Sequence, residues 1–394
     1  MFCTHTHSGV ALVDTNGNLR PCCRARPVTW QNNWSKSSAQ EGEWNKLPTI
    51  FDIETLDGLH KKKPYIEIQN DLALGVFPEV CVECEIEEKE GFYSRRKITN
   101  DLFSRRDLHV KGAIQDLEIA LDMTCNMMCR MCNPGQSSKW GSKKELVKEL
   151  NLYNMVIHAD MTNTKYRSYQ EQMKHVLDNT DLSHLRFIKI EGGEPFYSKH
   201  FEWFLDKLDR EVIEPHKFEL MIVTNGSVYP KKTILDKLLK FPNLVITFSI
   251  DAIEELAECI RWGVDWKTID SNMRQYKKHK DAGEIRHLMT NSVISILNFN
   301  RMKELTTYFS DIGIETGYHL LTTPDYLSIY QLPKDVRMKH LTGNKKIDDI
   351  LMADIDIAPE LDRTLKHIDL LDTHTDTKFE EVNKEALQII KENI

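Results

Sequence analysis

The chain lacks three things: a long hydrophobic run, an excess of positive charge, and an N-terminal pattern of basic and then apolar residues. A transmembrane helix needs about 20 consecutive apolar residues, so the first absence excludes one. The third absence predicts a cytoplasmic protein with no secretion signal and no membrane partner. The formal net charge is −8, which weighs against nucleic acid as a partner because the phosphate backbone is itself negative.

The composition is that of an ordinary globular protein with an unusual supply of thiols. Hydrophobic residues make up 41% of the chain and charged residues 28%, an ordinary balance for a globular protein. A length of 394 residues is enough for the cores of more than one domain. The chain carries nine cysteines. Disulfides are rare in a reducing cytosol, so this number favours metal or redox use of the thiols.

Three of the cysteines are concentrated in one loop. Cys125, Cys129 and Cys132 follow the spacing C-x3-C-x2-C, directly after the alternating apolar run 114–121 that predicts a β-strand. Structural zinc sites and ordinary cubane clusters use four protein ligands, so a set of three leaves one coordination position open. The alternative interpretation is a zinc knuckle that takes its fourth ligand from elsewhere.

A second motif follows the next predicted strand. The run 187–195 is an apolar strand that ends in Gly192-Gly193-Glu194-Pro195. Two glycines allow a close approach of the backbone to a ligand. The carboxylate of Glu194 can accept hydrogen bonds from an ammonium group.

Together, C-x3-C-x2-C and G-G-E-P resemble the signature motifs of the radical SAM superfamily. The resemblance implies that the three cysteines hold a [4Fe–4S] cluster whose fourth iron binds the amino and carboxylate groups of S-adenosylmethionine. It also implies that one electron from this cluster cleaves the cofactor to a 5′-deoxyadenosyl radical, which abstracts a hydrogen atom from the substrate. These three cysteines are therefore the expected catalytic and metal-binding residues.

The same resemblance implies roles for residues around the cluster loop. Gly192, Gly193 and Glu194 would contact the amino group of the cofactor. The residue before the third cysteine is often aromatic in the superfamily, whereas here it is Met131. A methionine keeps an apolar contact for the adenine but does not stack on it.

Residues 111–325 alternate apolar runs with amphipathic stretches, which predicts an α/β fold with a parallel sheet. Six such units are too few to close an eight-stranded barrel, and they match the partial (β/α)6 barrel of the superfamily, whose open side would admit a large substrate. The predicted strands are 114–121, 185–190, 218–223, 244–250, 288–297 and 314–321. The predicted helices between them are 199–212, 231–239, 253–282 and 302–311.

Polar residues at the ends of later strands are candidates for binding the rest of the cofactor. Thr224 and Asn225 resemble a Thr-Asn step common in the superfamily. Ser249 and Asp251 end the next strand, where they could contact the ribose or simply cap the following helix. Arg261, expected in that helix, could pair with the cofactor carboxylate through its planar guanidinium.

A separate set of cysteines lies in the first 110 residues. Cys3, Cys81, Cys84 and one of the adjacent Cys22 and Cys23 could bind zinc. The sequence around these cysteines resembles the twitch or SPASM-like domains of radical SAM enzymes. This resemblance implies an auxiliary [4Fe–4S] cluster instead of zinc. Neighbouring residues of an extended segment point to opposite sides, so only one of the pair should be a ligand. The resemblance favours Cys22.

The expected organisation has three parts. Residues 1–110 form a small twitch-like domain with a β-hairpin around Asn16-Gly17, residues 111–325 the barrel, and residues 326–394 a helical extension. In the extension, apolar residues recur at helical spacing and are expected to pack against the barrel. Four of them are Leu361, Ile368, Ala386 and Ile390.

These features predict a radical SAM oxidoreductase. The expected reaction is oxidative modification of a peptide or protein, with the auxiliary cluster as electron acceptor. Two alternatives remain open: oxidation or dehydrogenation of a small molecule, and a non-catalytic iron–sulfur electron carrier. A flavodoxin- or ferredoxin-type protein is the expected reductant.

Overall fold

The computed structural model describes residues 1–13, 17–25, 47–104, 112–152, 164–263 and 265–394. Its centre is a seven-stranded sheet in which all neighbouring strands run parallel. In sheet order these strands are β1 (Gly9–Leu12), β2 (Asp116–Ala120), β4 (Phe187–Glu191), β5 (Glu219–Thr224), β6 (Leu244–Ser249), β8 (His287–Ile294) and β9 (Glu315–Leu320). Two short strands, β3 (Met128–Cys129) and β7 (Arg261–Trp262), form an antiparallel pair beside it.

Helices connect most of the strands, because parallel neighbours require a crossover connection. Those of the central region are Lys144–Glu149, Thr164–Asp178, Phe201–Glu211, Lys232–Leu238, Glu254–Ile260, Trp266–Asp281 and Met302–Asp311. All six predicted strands are present in the predicted order, which confirms the α/β class with a parallel sheet. Within the described residues no ladder joins β1 to β9, so the sheet stays open.

The two faces of the sheet differ in character because side chains alternate along each strand. One face carries fully buried aliphatic side chains such as Ile188, Ile190 and Ile222. On the other face the register places Glu118 of β2 beside Lys189 of β4. The charged groups of that face therefore lie inside the fold rather than on its outer surface.

The seventh strand comes from the N-terminal segment and was not among the six predicted. β1 pairs with β2 along its whole length. Ala11 of β1 also exchanges two backbone hydrogen bonds with Arg20, at 2.7 and 3.0 Å, so the chain returns antiparallel as the predicted hairpin requires. The turn residue Asn16 lies outside the described residues. The domain boundary at residue 110 stays a prediction.

The rest of the N-terminal segment is more helical than its sequence indicated. Its helices are His5–Ser8, Lys63–Ala73, Val82–Lys89 and Arg95–Ser104. In the second of these, Tyr65, Ile68 and Leu72 form a narrow buried stripe. A stripe of three residues is enough to dock a short helix, although it gives only a weak periodic signal.

The single helix predicted over 253–282 is wrong, because the chain leaves the helix at Arg261 and forms β7. Arg261 therefore lies on a strand and not in a helix. Gly263 has a φ of +125°, and a Cβ atom there would lie 2.5 Å from the carbonyl oxygen of Asn126. Glycine at position 263 therefore allows the chain after β7 to pass close to the loop before β3.

The C-terminal extension is helical, as predicted. Its helices are Lys334–Arg337, Lys345–Met352, Leu361–His374, Phe379–Val382 and Lys384–Glu392. The four apolar residues named above are buried in the main core, as expected from their spacing. None of the helices in the described part of the chain has the length and apolar character needed to span a membrane.

Candidate functional site

The three-cysteine loop begins where β2 ends and is held by its own hydrogen bonds. The carboxylate of Asp122 accepts from the N–H of Thr124 at 2.8 Å. The N–H of Cys125 donates to the hydroxyl of Ser138 at 3.1 Å, and the N–H of Cys132 donates to the carbonyl of Cys129 at 3.0 Å. The backbone around each thiol is thus fixed before any ligand binds.

The three thiols lie close enough to influence one another's ionisation. Burial raises the pKa of all three, and raises that of Cys129 to about 12. The pKa of Cys132 is raised further by Cys129 and Cys125. Because thiolates are the ligands of iron and zinc, a positively charged group bound here would release three protons from this loop.

Two hydrogen-bond donors near the thiols act against this rise in pKa. Nη1 of Arg261 lies 3.7 Å from Sγ of Cys129, and Nδ2 of Asn225 lies 3.8 Å from Sγ of Cys125. Hydrogen bonds to sulfur tune the potential of iron–sulfur clusters. The chemistry of this donor set fits a cluster held by three thiolates.

The Gly-Gly-Glu motif packs directly against the backbone that leads into the cysteine loop. The N–H of Gly193 donates to the carbonyl of Asp122 at 3.2 Å, and the N–H of Glu194 donates to the carbonyl of Thr124 at 2.7 Å. A Cβ atom on Gly193 would lie 2.3 Å from the Thr124 carbonyl oxygen. The close contact that requires glycine is therefore a contact between the Gly-Gly-Glu motif and the backbone that leads into the cysteine loop.

The carboxylate of Glu194 is the centre of this arrangement, with only 1% of the residue exposed. Its Oε1 accepts from the hydroxyl of Thr224 at 2.8 Å and from the N–H of Phe196 at 3.3 Å. Its Oε2 accepts from the N–H of Asn225 at 2.7 Å and keeps acceptor capacity. Burial raises the pKa of Glu194 to about 7, although these hydrogen bonds act in the opposite direction.

A polar network that the sequence analysis missed ties the cysteine loop to the end of β5. The Nδ2 atom of Asn225 donates to Oδ1 of Asn126 at 3.0 Å, and Nδ2 of Asn126 donates to the hydroxyl of Ser227 at 3.0 Å. Asn126 lies inside the cysteine motif, which could have drawn attention to it. The structure thus brings Glu194, Asn225 and the cysteine loop together.

Asp251 and Arg261, both predicted to contact the cofactor, contact each other. Nε and Nη2 of Arg261 lie 2.8 and 2.7 Å from Oδ2 of Asp251, while the other carboxylate oxygen accepts from the N–H of Val293 at 2.8 Å. Ser249 ends β6 half-buried, and Met131 packs half-buried against the core. Cofactor binding by these four predicted residues stays a prediction.

Four of the five N-terminal cysteines line one cavity. Cys3, Cys22, Cys81 and Cys84 surround a space of about 410 Å³ including its mouth. Burial raises the pKa of each thiol, to about 12 for Cys3 and about 11 for Cys84. Cys3 and Cys22 thus meet Cys81 and Cys84, which lie at the start of the helix Val82–Lys89, as a set of four thiols.

The distances between these thiols limit which metal group they could bind. A zinc ion binds thiolates at about 2.3 Å, which places four of them about 3.8 Å apart. In the part of the chain that the structure describes, only Cys23, Glu118 and Glu191 form a group of metal-ligating side chains with all ligand atoms within 4.8 Å. Neither of the two cysteine sets meets this limit with three of its thiols.

Cys23 points away from the cavity and into the charged face of the sheet. Its N–H donates to the Glu118 carboxylate at 2.7 Å. Nζ of Lys189 lies 3.5 Å from Sγ of Cys23, 3.8 Å from Glu118 and 3.0 Å from Glu191. The ammonium group already supplies the positive charge among these three side chains, so we do not assign a metal site there.

Residues 123–294 match the family model described as the Radical SAM superfamily. This match covers both motifs and β4 to β8, and it spans less than half of the chain. No curated protein sequence matches the chain.

Solved structures resemble the chain only distantly. The structure of anSMEcpe with AdoMet and a peptide bound shares 15% identity over 57% of each chain, with a TM-score of 0.36. SuiB of Streptococcus suis bound to S-adenosylmethionine shares 16% identity over 75% of this chain and 59% of its own, with a TM-score of 0.35. The chain thus spans less than two thirds of these proteins, and its function has to be inferred from its own residues.

Proposed function

We propose that this chain is a radical SAM enzyme in which Cys125, Cys129 and Cys132 hold a [4Fe–4S] cluster. One observation carries the proposal: a loop with three partly buried thiols, one ligand short of a closed site, is hydrogen-bonded to the segment that carries the buried Glu194. A structural metal site with four protein ligands would not require a carboxylate at that position.

In this proposal the residues of the chain hold the cofactor by its polar groups. Glu194 accepts hydrogen bonds from the ammonium group through the remaining capacity of Oε2. Thr224 and Asn225 fix the direction of that carboxylate. When bound, the cluster and S-adenosylmethionine supply an electron and a 5′-deoxyadenosyl radical, which abstracts hydrogen.

We further propose that Cys3, Cys22, Cys81 and Cys84 hold an auxiliary [4Fe–4S] cluster. The support is that all four thiols line one cavity. Four thiolates would leave no iron open, so this site would serve to accept the electron of a substrate radical. The net reaction is then an oxidation, with a flavodoxin- or ferredoxin-type protein as reductant of the first site.

The proposed substrate is a peptide or protein side chain, since the sheet does not close between β1 and β9 within the described residues. Oxidation of a small molecule by the same residues is the second candidate. A non-catalytic electron carrier is the third, and it is disfavoured because a carrier needs no open iron beside a carboxylate pocket.

The test of this function is the reductive cleavage of S-adenosylmethionine by anaerobically purified protein. Two clusters predict roughly eight irons per chain, and one predicts about four. Addition of dithionite should yield 5′-deoxyadenosine, with deuterium incorporated from a labelled substrate. Colourless protein with stoichiometric zinc, or iron without cofactor cleavage, would contradict the proposal.

Glu194 gives the site a testable pH dependence. Its raised pKa, about 7, means that the carboxylate becomes predominantly ionised only above neutral pH. Since an ammonium group binds the ionised form, the affinity for S-adenosylmethionine should rise about ten-fold from pH 6 to pH 8. Equilibrium dialysis of the reconstituted protein measures this.

The control for this pH dependence is Glu194→Gln, which keeps the shape and removes the charge. The variant should bind the cofactor weakly and with little pH dependence over the same range. Thr224→Val is the matched second variant, because it removes one hydrogen bond to the carboxylate and leaves the charge in place. An unchanged slope in Glu194→Gln would assign the pH dependence to another group.

A further inference from the structure

Arg130 lies inside the cysteine loop, between Cys129 and Cys132, yet only 1% of its side chain is exposed. A guanidinium buried to this degree needs partners for its donors, because an unpaired buried charge is strongly destabilising. Its partners come from two segments that lie far from it along the chain: the helix before β7 and the C-terminal extension.

The first set of partners is the end of the helix Glu254–Ile260. The N–H of Arg130 donates to the carbonyl of Ile260 at 2.8 Å, and Nε donates to the carbonyl of Cys259 at 2.9 Å. The last carbonyls of a helix have no partner within the helix, and a positive charge is favourable there. Arg130 thus joins the cysteine loop to this helix terminus.

The second set of partners belongs to the helix Leu361–His374. Nη2 of Arg130 forms an ion pair with the carboxylate of Asp372, and Nη1 lies 3.5 Å from the carbonyl of Ile368. The guanidinium also lies over the ring of Phe379, 5.8 Å from its centre. One face of the C-terminal extension is therefore built around a residue of the cysteine motif.

The same helix also holds the backbone of the cysteine loop. The carbonyl of Arg130 can only accept a hydrogen bond, so Nε2 of His367, 2.8 Å away, must carry the proton. Nδ1 of His367 is then the acceptor for the hydroxyl of Tyr326 at 3.2 Å. Both the N–H and the carbonyl of Arg130 are therefore fixed by groups outside the loop.

We propose that the helix Leu361–His374 is a positioning element for the three-cysteine site and acts through Arg130. The inference rests on the proposed function of that site. A cluster held by only three thiolates depends strongly on the preorganisation of its loop, because there is no fourth ligand to compensate for a misplaced one. Arg130 fixes the backbone that directs Cys129 and Cys132, so the extension contributes to cluster retention without contacting the cluster.

The test uses two variants that preserve volume and one control on the same helix. Asp372→Asn removes the charge of the ion pair, and Arg130→Lys keeps the positive charge but loses the planar fork. Lys366→Ala is the control, because Lys366 is an exposed residue of the same helix. All are reconstituted with iron and sulfide as full-length protein.

Both variants should lose the iron of the three-cysteine site to a chelator about ten-fold faster than wild type or control, in line with the effect of outer partners on metal sites. The change that S-adenosylmethionine produces in the electron paramagnetic resonance spectrum of the reduced protein should be altered. The iron of the four-cysteine site should be retained at the wild-type rate.

Two results would overturn the inference: wild-type behaviour of both variants, or iron loss from both sites in parallel with the circular dichroism of the helices. The latter would mean that Arg130 stabilises only the fold. Absence of any cofactor-sensitive cluster in the wild-type protein is a different result, because it would contradict the proposed function itself.

Discussion

Replacing Cys129 with alanine should abolish cleavage of S-adenosylmethionine while leaving about four irons per chain at the other site. Cys129 is the central thiol of the loop and lies on β3, where β7 fixes its backbone. Two thiolates cannot retain a cluster that already has an open iron. We expect production of 5′-deoxyadenosine to fall to the uncatalysed background.

The control for this experiment is Cys259→Ala. Cys259 is fully buried in the neighbouring helix, and its backbone carbonyl accepts a hydrogen bond from Nε of Arg130 that an alanine at this position keeps. This variant removes a thiol of similar burial from the same part of the fold and should keep all iron and cofactor cleavage. If Cys129→Ala still cleaved the cofactor at a measurable fraction of the wild-type rate, the three-thiolate site would be the wrong assignment.

The sequence predicted the parts of this fold that are encoded locally. The six central strands follow from alternating apolar residues, and the helix Met302–Asp311 has the predicted bounds. Both motifs also lie at the ends of β2 and β4, as predicted from the apolar runs before them. These features depend on residues within one segment, so a single chain reveals them.

Contacts between distant segments could not be predicted in this way. Arg130 and Asp372 are separated by 242 residues, and nothing in the local pattern of either indicates the other. The same is true of the pairing between β1 and β2, since the sequence indicated a hairpin but not its neighbour in the sheet. Short elements of this kind are determined by tertiary packing rather than by propensity.

The predicted cofactor ligands Asp251 and Arg261 illustrate the same limit. Their residue types suited the ribose and the carboxylate, and both lie near the cysteine loop. What the sequence did not reveal is the end of the helix at Ile260, after which Arg261 lies on β7 and pairs with Asp251. This pairing of β7 with β3 joins segments that lie far apart along the chain.

We expect a second large effect, on iron content, from substitution of the adjacent residues Cys22 and Cys23. Cys22 lines the cavity with Cys3, Cys81 and Cys84, whereas Cys23 lies against Lys189 on the charged face. Cys22→Ala should therefore remove about four irons per chain, and Cys23→Ala should remove none. Neighbouring substitutions of the same type are closely matched controls for each other.

The two variants should also differ in catalysis. Cys22→Ala should still cleave S-adenosylmethionine, since the three-cysteine loop is intact, but it should form no oxidised product because the acceptor site is lost. Cys81→Ala should behave in the same way. Iron analysis, 5′-deoxyadenosine and product are measured on one preparation. Product from Cys22→Ala at the wild-type ratio to 5′-deoxyadenosine would show that the four-cysteine site has only a structural role, and equal iron loss in the two variants would contradict the assignment of Cys22.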